Sequence, residues 1–359
     1  MKNPKFNFPA ALNQTYLNTP ANGLISTNTT KIIQDFHKGY LESGSPFAEK
    51  WMENDFPKVR ETVDKFIDAP KAQIALVPSF SFGYNALLDS IGPLKTQVYK
   101  RDYPSLKIPL ELKGFELFEL EDDNGFEINQ ELIFKSLKEN KIELLVLSHV
   151  QFRTGYLADL KSIGDFCKQH KILFIVDTTQ SAGAIPISFQ KLNVDALIWS
   201  SYKWMNSGFA NGVMCLKSEL IDKYPPKIGG YGSCFFEGNE WIYRPSSRSY
   251  EPSAPNMATL SGLQNAMEEK LEIGVNQIRE HNVGLLQYCI SKLDERGVHY
   301  YGKGSEMGKR AFVVSPANDA LFEKLKSNKI VCTYREGCIR LGFHFYNDKQ
   351  DVDRLLKHF

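Results

Sequence analysis

One lysine and one aspartate, twenty-six positions apart, carry the chemistry that this 359-residue chain suggests first. Lys203 follows a short apolar run, Ala196 to Trp199, and then Ser200, Ser201 and Tyr202. Small and amide residues lead from Asn206 to Gly212 before a second apolar run, Val213 to Leu216. The two runs read as buried strands, and an amine set between buried strands is costly unless something uses it. Asp177 ends the apolar run Ile172 to Val176. That places a carboxylate at the C-terminal tip of a third strand, the edge at which open α/β sheets take ligands.

Pyridoxal phosphate (PLP) chemistry needs such a pair. The lysine holds the aldehyde as a Schiff base, and the acid keeps the pyridine nitrogen protonated so that the ring accepts electrons. The segments Ile172-Leu-Phe-Ile-Val-Asp-Thr-Thr-Gln-Ser-Ala-Gly183 and Ser201-Tyr-Lys-Trp-Met-Asn-Ser-Gly208 resemble the class V aminotransferase family of PLP enzymes. That family includes aminotransferases, cysteine desulfurases, kynureninases and epimerases, and the lysine segment is most similar to kynureninases. The resemblance runs from Tyr16 to the C-terminus.

The resemblance implies Lys203 as the Schiff-base lysine, Asp177 as the pyridinium partner and Gln180 as a donor to the ring phenolate oxygen, with Ser200 and Tyr202 also at the cofactor. It implies an α/β fold of the PLP-dependent transferase type I. An N-terminal arm (1–15) would precede a large domain (16–255) with a mostly parallel seven-stranded sheet, and a smaller α+β domain (256–359) would follow. It also implies a homodimer whose sites are completed across two subunits.

The elements that must position these residues are legible in order. Tyr16-Leu-Asn-Thr-Pro-Ala-Asn-Gly23 resembles the family's opening segment, which turns into the site, and reads equally as an ordinary Pro/Gly turn. Thr27–Ser43 and Ala48–Ile67 show helical periodicity, with Gly44 suited to stop the first. Gln73 to Val77 reads as a strand, followed by a small-residue turn and a helix beginning near Gly83. A helix start offers free N–H groups to an anion. In the family this turn holds the cofactor phosphate, which points to Ser81 and Phe82, partly through backbone N–H. No lysine follows at Walker spacing. Asp102-Tyr-Pro-Ser105 resembles the segment that sets an aromatic over the pyridine ring, making Tyr103 the stacking residue.

Ile142–Val150, Leu160–Lys171 and Ile172–Val176 form a strand–helix–strand unit with a right-handed crossover expected. Where many relatives carry asparagine near Phe152, phenylalanine cannot reach the ring oxygen, so that contact is missing or moved to Gln151 or Arg153. Arg153 is open to two readings, selection of an anionic substrate side chain or a surface salt bridge. Likewise Ala254 stands where the family has a donor to the neighbouring subunit's phosphate, leaving Ser253 or a backbone N–H for that contact. A helical pattern from Leu260 to Tyr288 leads to Cys338-Ile-Arg-Leu-Gly-Phe-His-Phe-Tyr-Asn347, which resembles the family's last strand, and Asp351–Phe359 makes a final amphipathic helix. There Arg340 would clamp the substrate α-carboxylate by two parallel hydrogen bonds, whereas Arg335 reads as a solvated turn residue.

Composition narrows the classes. Forty-three basic and 42 acidic residues leave a net charge of +1, so no global field favours nucleic acid or an anionic membrane. No stretch approaches a membrane span, and the N-terminus lacks the apolar core of a signal peptide. The six cysteines show neither CxxC spacing nor histidine partners, which reads as reduced thiols in a cytoplasmic protein without a metal site.

An aminotransferase acting on an amino acid and a keto acid is the favoured reading. A Cβ-cleaving lyase comes second, kynureninase-like with Trp204 and Tyr231 as candidate pocket aromatics. A desulfurase needs a reactive cysteine on a mobile loop, and Cys332 and Cys338 read instead as buried structural residues on or beside the last strand. A scaffold that has lost catalysis is disfavoured because Lys203, Asp177 and Arg340 are all present. A nicotinamide dehydrogenase is disfavoured because no GxGxxG turn follows the first strand.

Overall fold

The computed structural model describes residues 4–121 and 125–359. Seven strands form its central sheet: β1 (Ile74–Val77), β2 (Lys95–Tyr99), β3 (Glu116–Leu120), β4 (Leu144–Ser148), β5 (Leu173–Asp177), β6 (Ala196–Ser200) and β7 (Gly212–Leu216). Their spatial order is β1-β7-β6-β5-β4-β2-β3. All neighbours are parallel except at β7, which runs antiparallel to β1 and β6. The expected mostly parallel sheet is therefore present.

Leu145, Leu147, Phe174, Val176, Leu197 and Trp199 point into one core, while Leu144, Val146, Ile175 and Ile198 point into the other. Burial on both faces is why these strands read as unbroken apolar runs. The edge strand β1 is covered by side chains. Arg60 Nη1 donates to the Ile74 carbonyl at 2.6 Å, and the Leu76 N–H donates to Glu251 Oε1 at 2.6 Å.

Several element limits differ from the sequence reading. The helix expected over 48–67 is two helices, Ser45–Asn54 and Phe56–Ile67. Pro57 has no N–H to give a helix interior but is tolerated in a first turn. The helix expected near Gly83 starts at Phe80, because Ser79 caps it by accepting the Phe82 N–H at 3.2 Å. The nine-residue strand expected over 142–150 is five residues long. The long helix expected over 260–288 is divided into Met257–Ile273 and Val275–Glu295 by Gly274, at φ 90°. The last helix is Lys349–Leu356, opened by an Asp348/Asp351 capping box.

A hairpin, β8 (Cys234–Glu237) and β9 (Glu240–Tyr243), follows the main sheet. The C-terminal unit holds a three-stranded antiparallel sheet, β10 (Val313–Pro316), β11 (Thr333–Arg335) and β12 (Cys338–Leu341), with β12 in the middle. Its own core includes Leu286, Leu293, Ile339, Leu341 and Leu355. Residues 1–3 of the expected arm lie outside the described residues. The rest of the arm packs on the C-terminal unit: Lys5 Nζ reaches Asp348 and Asp351 at 3.0 and 2.9 Å, and Phe8 packs on Phe345 and Tyr346. Helix Met257–Ile273 sends Leu260, Leu263 and Met267 into the core beneath the main sheet. Val275 still packs on that core, and further along the next helix Leu285, Leu286 and Leu293 enter the core of the C-terminal unit.

Candidate active site

The tips of β5 and β6 and the loop after β6 build the site. β5 ends on Asp177, whose Oδ1 accepts the Thr179 N–H at 2.8 Å. Thr179 Oγ1 in turn accepts the Ser200 N–H at 3.1 Å, tying the two strand ends together. The loop from Ser201 to Asn211 is closed by its own polar groups. The Ser207 hydroxyl shares its single proton between the Ser201 carbonyl at 3.1 Å and Asn211 Oδ1 at 2.7 Å, and Asn206 and Gly208 take left-handed φ values of 63° and 79°. The small and amide residues around Lys203 are the ones such a turn requires.

The segment before the first long helix lies directly on this loop. The Gly23 N–H donates to the Tyr202 carbonyl at 2.9 Å, and a Cβ at Gly23 would stand 1.7 Å from the Lys203 carbonyl oxygen. Glycine is therefore obligatory at that approach. Pro20 and Ala21 line the cavity beside Lys203, so this segment does turn into the site.

Two chambers meet at the Lys203 amine. The inner one, about 140 Å³, is lined by Ser79, Ser81, Asp177, Thr179, Gln180 and Ser200. The outer one, about 260 Å³, is lined by Arg101, Arg153, Arg335, Glu336, Cys338 and Arg340, among others. Tyr103, Phe152, Tyr202 and Lys203 border both. Lys203 Nζ lies 5.4 Å from the Tyr103 ring centroid and 5.7 Å from that of Tyr202, within cation–π range of both. Tyr103 meets Phe152 edge-on at 5.2 Å, and Tyr202 stacks on Phe209 at 5.2 Å.

Burial dominates the electrostatics. It pushes Asp177 above the usual carboxylate range, against the Thr179 hydrogen bonds and the Lys203 charge that pull it down. It pushes Lys203 below the usual lysine value, with Asp177 opposing and Arg340 adding to the fall. Burial also brings Arg340 down to about 10 and raises Tyr202 to about 12.

Most residues expected at the site are brought together around these chambers. Phe82 is not among the lining residues: its side chain is 40% exposed, and its N–H is used by the Ser79 cap. The Phe80 N–H donates to Ser200 Oγ at 2.8 Å, which leaves Ser79, Ser81 and Ser200 as the polar lining at this helix start. Gln180 is held at both ends, its Nε2 donating to the Pro20 carbonyl and its Oε1 accepting the Trp204 indole N–H, both at 2.8 Å.

Several expectations are corrected. Trp204 is fully buried behind Gln180, and Tyr231 is 86% exposed, so neither lines a pocket for an aromatic side chain. Cys332 is buried, but Cys338 is half-buried and lines the outer chamber 3.7 Å from the Tyr301 hydroxyl. Arg335, expected as a solvated turn residue, is exposed on β11 but also lines that chamber. Of the two readings left open for Arg153, the structure shows an ion pair, with Glu336, at the chamber wall.

Asp102 was missed. It is a second buried carboxylate, raised by burial, and it accepts from the Ser148 hydroxyl (2.6 Å), the Ser148 N–H (2.9 Å), the Tyr103 N–H (2.7 Å) and Gln151 Nε2 (3.2 Å). The signal was its place directly before Tyr103, whose backbone it fixes. Lys270 was also missed. Fully buried, it donates to the Met205 carbonyl and Asn206 Oδ1, both at 2.8 Å, and braces the Lys203 loop from behind.

The donor set suits PLP: an amine, a carboxylate at a strand tip, an aromatic ring beside them, and hydroxyls at a helix start. Among the described residues no cluster of three or more His, Cys, Asp or Glu side chains could hold a metal ion, and no helix is long and apolar enough to cross a membrane.

Comparison with known proteins adds three findings. A profile described as aminotransferase class-V matches residues 15–355. The chain is 24% identical to the Bacillus subtilis (strain 168) protein described as uncharacterized aminotransferase YcbU, covering 96% of this chain and 93% of that protein, and 24% identical to kynureninase of Shouchella clausii (strain KSM-K16), covering 78% and 70%. A lysine-to-alanine mutant of C-DES with glycine covalently linked to its PLP cofactor superposes with a TM-score of 0.91 at 18% identity, over 98% of each chain.

Proposed function

Because the chain belongs to the class V aminotransferase family, whose members depend on PLP, we propose that it is an aminotransferase that moves the amino group of an amino acid to a keto acid. The observation that carries this reading is the place of the Lys203 amine, between a chamber with a carboxylate and hydroxyls and a chamber with Arg340. When bound, PLP supplies an electron sink for bonds at the substrate α-carbon.

The chain's residues have separable tasks in this reading. Lys203 anchors the cofactor, and its lowered proton affinity lets it serve as a base near neutrality. Asp177 holds a proton on the ring nitrogen. Ser79, Ser81 and Ser200 receive the phosphate, Tyr103 supports the ring plane, and Tyr202 closes the wall beside Lys203. Gln180 has one Nε2 hydrogen beyond its bond to Pro20 to offer the ring oxygen. Arg340 orients the substrate by its α-carboxylate. Its Nη1 is already fixed on the Phe152 carbonyl at 2.8 Å, and its Nε is buried without a hydrogen-bond partner.

The reading extends to a homodimer in the cytoplasm. Ser253 and Ala254 are exposed on the single chain, as a segment reaching a neighbouring subunit would be. All six cysteines are free thiols, in keeping with a reducing compartment. Gel filtration of the active protein tests the first point: a fully active monomer overturns it.

A Cβ-cleaving lyase is the second reading, favoured by the rings of Tyr99, Tyr103, Phe152, Tyr202 and Tyr301 around the outer chamber. Visible spectra of the PLP-loaded protein separate the two. An aminotransferase loses its yellow colour stoichiometrically on adding an amino acid and regains it with a keto acid. A lyase releases product catalytically while the colour persists.

A further inference from the structure

We propose that Asp102 is a positioning residue shared by the two chambers: it holds the Tyr103 ring at the inner one and, through Gln151, the Phe152 loop that fixes Arg340 at the outer one. The inference rests on the reading of the inner chamber as the PLP site. Neither Asp102 nor Gln151 lines a chamber, and both are buried behind residues that do.

Two of the bonds to Asp102 fix the kind of group needed there. The Tyr103 N–H donates to Oδ1 at 2.7 Å, and the Ser148 N–H donates to Oδ2 at 2.9 Å. A backbone N–H can only donate, so both oxygens must accept. A carboxylate satisfies the two at once, whereas an amide of the same shape would turn its own hydrogens on one of them. The Ser148 hydroxyl adds a third bond at 2.6 Å.

These bonds reach three segments. Tyr103 immediately precedes the helix Pro104–Leu112, and its ring stands 5.4 Å from Lys203 Nζ. Ser148 ends β4 and pairs in register with Asp177 at the end of β5. Gln151 Nε2 donates to Asp102 Oδ2 at 3.2 Å and to the Ser148 carbonyl at 3.3 Å, which draws the loop after β4 back onto the carboxylate. The next residue, Phe152, meets the Tyr103 ring edge-on and offers its carbonyl to Arg340 Nη1 at 2.8 Å. One side chain thus sets the ring that supports the cofactor and the loop that holds the substrate arginine.

The test uses Asp102→Asn and Gln151→Leu in the full chain, with PLP and propionate, a monocarboxylate for Arg340, as probes. Asp102→Asn should weaken PLP binding about tenfold and change the visible circular dichroism per bound cofactor, which reports how the ring is seated; a bond that merely stabilises the fold leaves that band unaltered. Gln151→Leu should leave PLP binding and the band as in the parent but weaken propionate binding about tenfold. Parental PLP affinity and band in Asp102→Asn, or parental propionate affinity in Gln151→Leu, overturns the proposal. Should Asp102→Asn fail to fold, Gln151→Leu still decides. A parent protein that binds no PLP would overturn the cofactor reading as well, and is told apart because it shows before any variant is compared.

Discussion

Nη1 of Arg340, in the middle strand of the C-terminal sheet, donates to the Phe152 carbonyl at the exit of β4, 2.8 Å away and 188 residues earlier in the chain. This bond joins the two units beside the outer chamber and fixes the guanidinium. Arg340→Lys keeps the charge but loses the fork. We expect KM for the amino substrate to rise by about 10- to 100-fold, with the visible spectrum of the bound cofactor unchanged. Steady-state kinetics check it, and an unaltered KM removes Arg340 from substrate binding.

Lys203→Ala should abolish both turnover and the visible band of bound PLP, whereas Lys270→Met should keep the band. Lys270 braces the loop through the Met205 carbonyl and Asn206 but lines neither chamber. Absorbance of the purified variants with added PLP decides; a coloured, active Lys203 variant contradicts the assignment.

Trp204→Phe leaves Gln180 Oε1 buried without its 2.8 Å donor. An unpaired buried acceptor costs about 1–3 kcal/mol, so chemical unfolding of the variant should show a loss of that order. A neutral result would mean that a water molecule replaces the indole N–H.

His149 gives the acid limb of stability. Burial, with Arg279 assisting, lowers its pKa from 6.5 to about 3, and its Nδ1 lies 2.9 Å from Ser181 Oγ. Between those values the unfolded chain binds a proton that the folded chain does not. This contribution is therefore complete above pH 6.5 and falls as the pH drops, by about 1.4 kcal/mol per pH unit. Denaturant titrations from neutral to mildly acidic pH should show a shallower decline for His149→Gln than for the parent. Parallel declines refute the role given to His149.

Cys338 lines the outer chamber, but it sits on β12, paired with Pro316 on one side and Arg335 on the other. A side chain on a central strand cannot swing toward a substrate as a desulfurase cysteine must. Cys338→Ala should therefore retain turnover within about a factor of three, since an exposed or half-buried truncation of this size costs little. Loss of all activity would revive the desulfurase reading.

The chemistry-bearing strands were legible because local pattern and burial coincide in them. Ile172 to Asp177 and Ala196 to Ser200 are buried on both faces, so their composition alone marks them as central strands of a parallel sheet. Lys203 and Asp177 followed, since a charge at the end of such a run stands out against it. Helix limits were legible where a breaker acts alone, as at Gly44, and were missed where Pro57 starts a new helix inside a continuing periodicity.

What only the tertiary structure decided were the relations between distant segments. The sequence held Lys270 and Glu336 in plain view, but nothing local distinguishes a buried brace or a chamber carboxylate from an ordinary surface charge. Trp204 beside Lys203 suggested a substrate aromatic, and the fold turned it to the far side of Gln180. Types and spacings along the chain specify which elements form, because those depend on near neighbours. Which side chains share a cavity depends on how sheet order and the second core bring residues more than a hundred positions apart into contact, and only packing sets that.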